Sequence, residues 1–352
     1  MHHRTLGRTG LSVSELCLGT LNFGWSVDRV TSEQLLDRFV AEGGNFIQSA
    51  GLAPASPLQA GWTRFSESYV GDWLSESGLP RSKIVLSTRL SLAQPVVDGT
   101  SAVETLGLAC DDSLRRLRTD YIDLLICHWH PAFSPLEALL EELTKRVQSG
   151  KIRYFGFAGF PFWRVMESID RSTRKAFCRL EAFQADYSLL ERDPVEREGL
   201  DLCRDYRIAF LARSPLAGGF LAARVVPQET ARNERDRWLA QRYGNRRGLS
   251  VYSEVESIAA GRQASPAGVA LAWVLRKPTV TSAVIGARSV MQLRQALEAS
   301  GMALSHREIL RLDGLSARSS TPKPYLSRGE FEQAKRSIAG RLAGRRIDRC
   351  RS

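Results

Sequence analysis

Ile122-Asp123-Leu124-Leu125-Ile126-Cys127, then Pro135–Gln148, then Tyr154-Phe155-Gly156-Phe157, is the stretch whose reading decides the architecture. The outer two runs are short and rich in Ile, Leu and Phe, the composition of strands buried on both faces. The segment between them carries apolar residues at helical spacing among charges, with room for about three turns. Strand, helix and strand in that order form one repeat of a parallel β/α fold.

Working outward, the same alternation recurs along the chain. Candidate strands are Leu16–Leu18, Phe46–Ser49, Ile84–Thr88, Ile122–Cys127, Tyr154–Phe157, Ala182–Asp186, Ala209–Ala212 and Ser282–Ile285. Candidate helices include Ser32–Glu42, Ser66–Ser75, Val103–Arg116, Pro135–Gln148, Val195–Asp205 and Pro266–Arg276. Eight strand–helix repeats predict a closed (β/α)8 TIM barrel. Reacting groups in such a barrel sit at the carboxyl ends of the strands, which directs attention to Gly19, Gln48, Arg89, His128, Ala158, Gln184, Arg213 and Gly286. The long segments Gly51–Phe65, Ala222–Ser250 and the one beyond Leu315 are read as loops folding over that face. The expected organisation is a barrel over 1–315 followed by a C-terminal loop and basic tail over 316–352.

A chain of 352 residues that is 43% hydrophobic has material for one full core. No apolar run is long enough for a membrane span, and Met1-His2-His3-Arg4 lacks the apolar core of a secretion signal, so the expectation is a soluble, cytoplasmic protein with no membrane partner. The six cysteines are scattered without ligand spacing and read as reduced, mostly buried residues. The formal charge of +11 is not read as a nucleic-acid signal: 42 of the 49 basic residues are arginine, and several gather in the tail at Arg341, Arg345, Arg346, Arg349 and Arg351.

Several phrases give the chain a family resemblance. They are Arg4-Thr5-Leu6-Gly7-Arg8-Thr9-Gly10-Leu11 leading into Leu18-Gly19-Thr20; Arg118-Thr119-Asp120-Tyr121-Ile122-Asp123-Leu124 with His128; Gly150-Lys151-Ile152-Arg153-Tyr154-Phe155-Gly156; Gln184-Ala185-Asp186-Tyr187-Ser188-Leu189-Leu190; Ser214-Pro215-Leu216-Ala217-Gly218-Gly219; and Ile285-Gly286-Ala287-Arg288. In order and spacing this set resembles the aldo-keto reductases, particularly the bacterial and potassium-channel-β-subunit-like branch. The resemblance implies a TIM barrel with an N-terminal β-hairpin, NADP(H) extended across its mouth, and carbonyl reduction by a Tyr acid tuned by Lys and Asp beside a substrate-orienting His. Hydride reaches carbon while the phenol delivers a proton to oxygen, and a nearby ammonium lowers the phenol's pKa enough for that.

Carried over residue by residue, the resemblance exposes departures. Asn45-Phe46-Ile47-Gln48-Ser49-Ala50 resembles Asn-Phe-x-Asp-Thr-Ala, so Gln48 stands at the Asp, and Ala53 stands at the Tyr five residues on. Ser87-Thr88-Arg89 resembles a Thr-Lys ending, so Arg89 replaces the Lys, and His128 alone keeps the family type. Gly156-Phe157-Ala158-Gly159 resembles Gly-Val-Ser-Asn, whose Ser and Asn hold the nicotinamide carboxamide; both polar groups are gone. On the cofactor side Gly19, Thr20, Gln184, Ser214, Leu216, Gly286, Arg288 and Gln292 match the family, Arg213 stands where an aromatic often lies against the nicotinamide, and Ala296 replaces an Asn.

Three functions follow. The preferred one is altered, non-redox acid–base chemistry on a small oxygenated metabolite: elimination, isomerisation, cyclisation or cleavage, with His128 as acid or base, Arg89 holding an anionic oxygen and Gln48 hydrogen-bonding. Such divergence suits specialised biosynthesis. The second is NADPH-dependent carbonyl reduction with a displaced phenol from Tyr187 or Tyr325, Tyr69 being read as core. The third is a non-catalytic barrel sensing a cofactor or ligand. Trp62, Trp129 and Phe160 are candidate pocket walls, with Phe162 and Trp163 nearby. His128 and His130 share a strand face at i and i+2, but without a companion carboxylate or thiolate cluster no metal is expected. Sequence leaves the oligomeric state undetermined.

Overall fold

Side chains alternate across a strand, so a strand closed into a barrel sends every second residue to the interior and the others toward surrounding helices. The computed structural model of the protein describes residues 1–51, 63–92, 102–129, 135–223 and 234–317. The strands β1 (His3–Thr5) and β2 (Ser12–Ser14) form an antiparallel hairpin. Eight parallel strands follow: β3 (Leu16–Gly19), β4 (Phe46–Ala50), β5 (Val85–Leu92), β6 (Ile122–Trp129), β7 (Ile152–Ala158), β8 (Ala182–Asp186), β9 (Ala209–Arg213) and β10 (Val280–Ile285). They pair in chain order, and β10 closes on β3. The predicted TIM barrel and hairpin are therefore both present.

Two apolar layers hold it. The inner one joins Leu6 and Val13 of the hairpin to Cys17, Phe46, Val85, Leu124, Ile126, Ala158, Ala182, Ala209 and Leu211, all buried. The hairpin thus plugs the amino-terminal end, where the Tyr154 hydroxyl donates to the Thr9 carbonyl at 3.0 Å. The outer layer packs the other strand faces against eleven α-helices among the described residues. They are α1 (Arg29–Ala41), α2 (Thr63–Glu76), α3 (Ala102–Leu117), α4 (Leu136–Gln148), α5 (Phe162–Lys175), α6 (Leu200–Asp205), α7 (Glu234–Tyr243), α8 (Arg246–Arg262), α9 (Pro266–Leu275), α10 (Val290–Leu297) and α11 (His306–Ser316).

Several boundaries differ from the sequence reading. β5 runs four residues past Thr88 and β6 two past Cys127, so Arg89 and His128 stand on strands rather than on the loops after them. Main-chain pairing continues through polar residues here, from Arg89↔Ile126 to Leu92↔Trp129. Within 222–250, read as a loop, the described part from 234 onward is mostly helical, as α7 and the start of α8. Val195–Asp205 is not one α-helix: Val195–Gly199 forms a wider π turn before α6. Helix α5 was unforeseen, because its buried face (Phe162, Val165, Ser168, Ile169, Ser172) includes two serines that dilute the apolar period.

The contact between α2 and α3 shows how little slack the outer layer has. A Cβ on Gly71 would lie 2.1 Å from the Arg116 carbonyl oxygen and 2.8 Å from the Leu117 carbonyl carbon, both backbone atoms. Gly71→Ala gains about 1 kcal/mol of helix propensity, but forcing two backbones apart costs about 1–3 kcal/mol. A lower urea midpoint with unchanged slope is expected; an equal or higher midpoint would show that α2 shifts freely.

Candidate functional site

At the carboxyl ends of the strands, alternation turns Gln48, Ser87, Arg89, His128, Ala158, Gln184, Asp186 and Arg213 toward the mouth. The pairings Gln48↔Ser87, His128↔Ala158, Ala158↔Gln184 and Asp186↔Arg213 set them around one rim. With eight strands in order, β4 and β8 lie on opposite sides of the barrel. The Gln184 amide nitrogen nonetheless reaches the Gln48 Oε1 at 2.8 Å, so two amides cross the interior and make a floor. Gln48 Nε2 in turn donates to Ser87 Oγ at 3.4 Å. Both glutamines are buried, and Gln184 Oε1 has no hydrogen-bond partner among the described residues.

Above this neutral floor stand three charges. The Arg213 guanidinium grips Asp186 with both ends of its fork, Nε to Oδ1 at 2.7 Å and Nη2 to Oδ2 at 2.9 Å. Burial pushes the Asp186 carboxyl up, but hydrogen bonds from Arg213, that residue's charge and the Ser214 hydroxyl outweigh it and hold Asp186 below the usual carboxylate range. Arg89 differs. Burial first, then the like charge of Arg213, lower its guanidinium to about 10, while Asp186 pulls only weakly the other way. No hydrogen bond to the Arg89 side chain is made among the described residues. It remains a cation at neutral pH whose nearest carboxylate is already committed.

His128 stands one strand from Arg89, two residues further along the ladder. A Cβ on Gly159 would fall 2.4 Å from His128 Nε2, so the imidazole fills the space that a side chain at 159 would need. Gly159 has φ +74°, a left-handed conformation that glycine adopts freely and asparagine tolerates.

Other candidates lie apart from this rim. Phe160 is buried and stacks on Phe157 at 4.5 Å in the outer apolar layer, so it packs the shell rather than walling the pocket. Tyr187 is likewise no displaced acid: its hydroxyl donates to Glu196 at 2.7 Å, its ring packs on Trp273 and Phe210, and burial raises its pKa far above the ordinary tyrosine value. Tyr69 is half-buried near Phe65. Thr20 is buried, its hydroxyl 2.8 Å from Ser66 Oγ. Trp62, Ala53, His130 and Tyr325 lie outside the described residues; Trp129 ends β6, and its side chain also lies outside them. Among the described residues no group of three or more His, Cys, Asp or Glu is placed to hold a metal, and no helix is long and apolar enough to cross a membrane.

The segment after β9 has the makings of a phosphate cradle. Ser214, Ala217, Gly218 and Gly219 all have positive φ, so the loop turns tightly. Arg235 on α7 donates to the Gly218 carbonyl. Burial and the nearby charge of Arg288 lower the Arg235 pKa, which places two guanidiniums close together with only Asp236 opposing. The Arg288 N–H is held by Gln292 Oε1 at 2.9 Å, Leu216 packs against the core, and a Cβ on Gly286 would touch Asn22 Nδ2 at 3.4 Å. Two mutually repelling cations could hold a phosphate group, whereas Ala158 and Gly159 at the end of β7 offer the mouth no polar side chain.

Two residues of this geometry were not singled out in the sequence. Asp186 was legible, since it lies at i+2 from Gln184 on the same strand face. Arg235 had no signal, because it comes from a helix in a segment read as a loop.

The comparisons agree with this architecture. Residues 15–317 match the Aldo/keto reductase family, and the chain belongs to that family. It is 34% identical to an uncharacterized oxidoreductase, YrpG, of Bacillus subtilis (strain 168), over 89% of this chain and 94% of that one. It is 30% identical to norsolorinic acid reductase stcV of Emericella nidulans, over 89% and 81% respectively. With the protein tas of Escherichia coli (strain K12) it shares 28% identity over 92% of this chain and all of that one.

Placing Asn at 159 tests the packing of the imidazole. Gly159→Asn keeps the left-handed backbone but puts a Cβ into the ring, so His128 must rotate, and its ring proton resonances should shift in NMR spectra. Unchanged resonances would place the imidazole away from residue 159.

Proposed function

We propose that the chain is an enzyme of redox-independent proton-transfer chemistry on a small oxygenated metabolite, with His128 moving the proton and Arg89 bearing the charge that develops on oxygen. The observation that carries this reading is the placing of an imidazole and a half-buried guanidinium, which makes no hydrogen bond among the described residues, over a floor of amides. Among the described residues no phenol reaches that rim. An imidazole exchanges protons near neutral pH. It removes a proton from the carbon beside a carbonyl, the electron pair moves onto the carbonyl oxygen, and Arg89 stabilises the resulting oxyanion. Return of the proton to a different atom completes an isomerisation; loss of a leaving group instead gives an elimination. Gln48 and Gln184 hold the floor beneath, and Asp186 fixes Arg213 at the side.

A second reading has its own support. The Arg235–Arg288 pair, the tight loop at Ser214–Gly219 and the reductase and oxidoreductase names of relatives favour an NADP(H)-dependent carbonyl reductase in which His128 protonates the substrate oxygen. The bound cofactor would supply hydride. Ser214, Leu216, Arg235 and Arg288 would hold its phosphates, and Gln184 Oε1 is an open acceptor for a carboxamide.

Exchange of carbon-bound protons separates the two. Incubation of small ketones and 2-oxo acids in D2O without cofactor is expected to show enzyme-dependent deuteration, slowed by roughly a hundredfold or more in His128→Ala. Exchange at the buffer rate, together with micromolar NADPH binding (about −8 kcal/mol) and carbonyl-dependent NADPH consumption, would replace the first reading with the second.

A further inference from the structure

The charges at the barrel mouth specify more about the ligand than the reaction type does. Arg89 stands on β5 among inward-facing groups, over the Gln48–Gln184 amide bridge. Gln48, its polar neighbour on β4, is neutral and already bonded to Ser87 and Gln184. The nearest carboxylate, Asp186, spends both oxygens on Arg213 at 2.7 and 2.9 Å. Among the described residues Arg89, Arg213 and Asp186 leave the rim with one surplus positive charge, carried by a half-buried guanidinium that makes no hydrogen bond to any of them. A desolvated cation in that position is costly unless something binds it.

We infer that Arg89 is the seat of a substrate carboxylate, so that the substrate is a small carboxylic acid bearing its oxygenated carbon close to the carboxylate, within reach of His128. A guanidinium offers parallel N–H donors in a plane, which matches the two oxygens of a carboxylate. The charge count favours a monoanion. A phosphate at close to two negative charges would overshoot the single surplus and repel Asp186. Arg89 and His128 sit on adjacent strands, offset by two residues, so a ligand held at one presents neighbouring atoms to the other. The inference deepens the proposed function and rests on its choice of pocket, with Arg89 now neutralising a charge that the substrate carries before reaction; the same fork bears any charge that spreads onto the adjacent oxygen.

The full-length protein should be tested with pyruvate as the probe, pyruvamide as its neutral counterpart and inorganic phosphate as the dianion, all at matched ionic strength. Pyruvate is expected to raise the thermal midpoint and to bind the wild type at least roughly tenfold more tightly than Arg89→Gln, while pyruvamide has little effect and any stabilisation by phosphate, taken up at the Ser214–Gly219 loop, is the same in Arg89→Gln as in the wild type. Arg89→Met supplies a second readout: with the stranded cation gone, the ligand-free variant is expected to melt higher than the wild type and to lose its response to pyruvate. The carboxylate assignment is overturned if pyruvate binds the wild type and Arg89→Gln alike, if pyruvamide binds as well as pyruvate, if phosphate binds as well as pyruvate and loses that binding in Arg89→Gln, or if no pyruvate response is seen at tens of millimolar. His128→Ala separates the two proposals. If it keeps pyruvate binding but also keeps wild-type proton exchange, the carboxylate seat stands and the role of His128 falls. If Arg89→Gln leaves pyruvate binding intact while exchange still depends on His128, the reverse holds.

Discussion

A cation turned toward the inside of a closed barrel must be answered by something, and in this molecule the answer is missing from the strands themselves. Arg89 is lowered to about 10 mainly by burial, and the charge of Arg213 acts in the same direction. Asp186 is the one carboxylate that faces this cation among the described inward-facing groups, and it is tied to Arg213. Everything else at the mouth is arranged around that imbalance. The floor is amide rather than acid, the side is a neutral ion pair, and an imidazole stands on the adjacent strand β6, two residues further along the ladder. Whatever chemistry occurs there occurs in a pocket whose field favours negative charge.

The barrel makes this possible by separating support from function. Leu6 and Val13 of the hairpin, with Phe46, Val85 and Leu124, fill the lower interior. The upper layer is therefore free to hold polar groups, provided they satisfy one another. Gln48 and Gln184 do so across the whole interior, a contact worth about 0.5–1.5 kcal/mol net and more if one partner were removed. A carboxylate at position 48 would accept the same Gln184 N–H, but it would also cancel the Arg89 charge. The neutral side chain thus keeps the floor and releases the cation. Gly159 plays a matching part on β6 and β7, where leaving out a Cβ gives the His128 ring its place.

Much of this was legible in the sequence, for physical reasons that differ from element to element. All eight barrel strands were found, because a strand buried on both faces must be apolar, and Ile122–Cys127 or Ala209–Ala212 have no other reading at that length. The ends of β5 and β6 were misplaced because polar residues such as Arg89 and His128 break the apolar run while main-chain pairing continues. Gln48, Arg89 and His128 converge on one rim, as their motif positions implied. Tyr187 does not, since the residue after the inward-facing Asp186 points outward, and neither does Phe160, which lies past the end of β7 beyond the left-handed Gly159 and stacks on Phe157. The link from Arg213 to Asp186 and the reach of Arg235 to Gly218 depend on side chains meeting across elements, which no local pattern records.

The side chains at positions 48 and 89 also constrain one another. Burial and a neighbouring cation lower the Arg89 guanidinium to about 10, and it stays charged. A lysine meeting the same surroundings would be pushed in the same direction from a lower starting value of about 10.4, and would hold its charge less securely. With an aspartate beside it a lysine is protected from that fall, because the opposite charge favours the ammonium. With the neutral amide of Gln48 at that position no such protection is offered, and a guanidinium holds its positive charge more securely than an ammonium. Arg89 is therefore the side chain that a barrel mouth without its carboxylate requires if it is to remain cationic, and its planar fork then fixes the orientation of any carboxylate it binds.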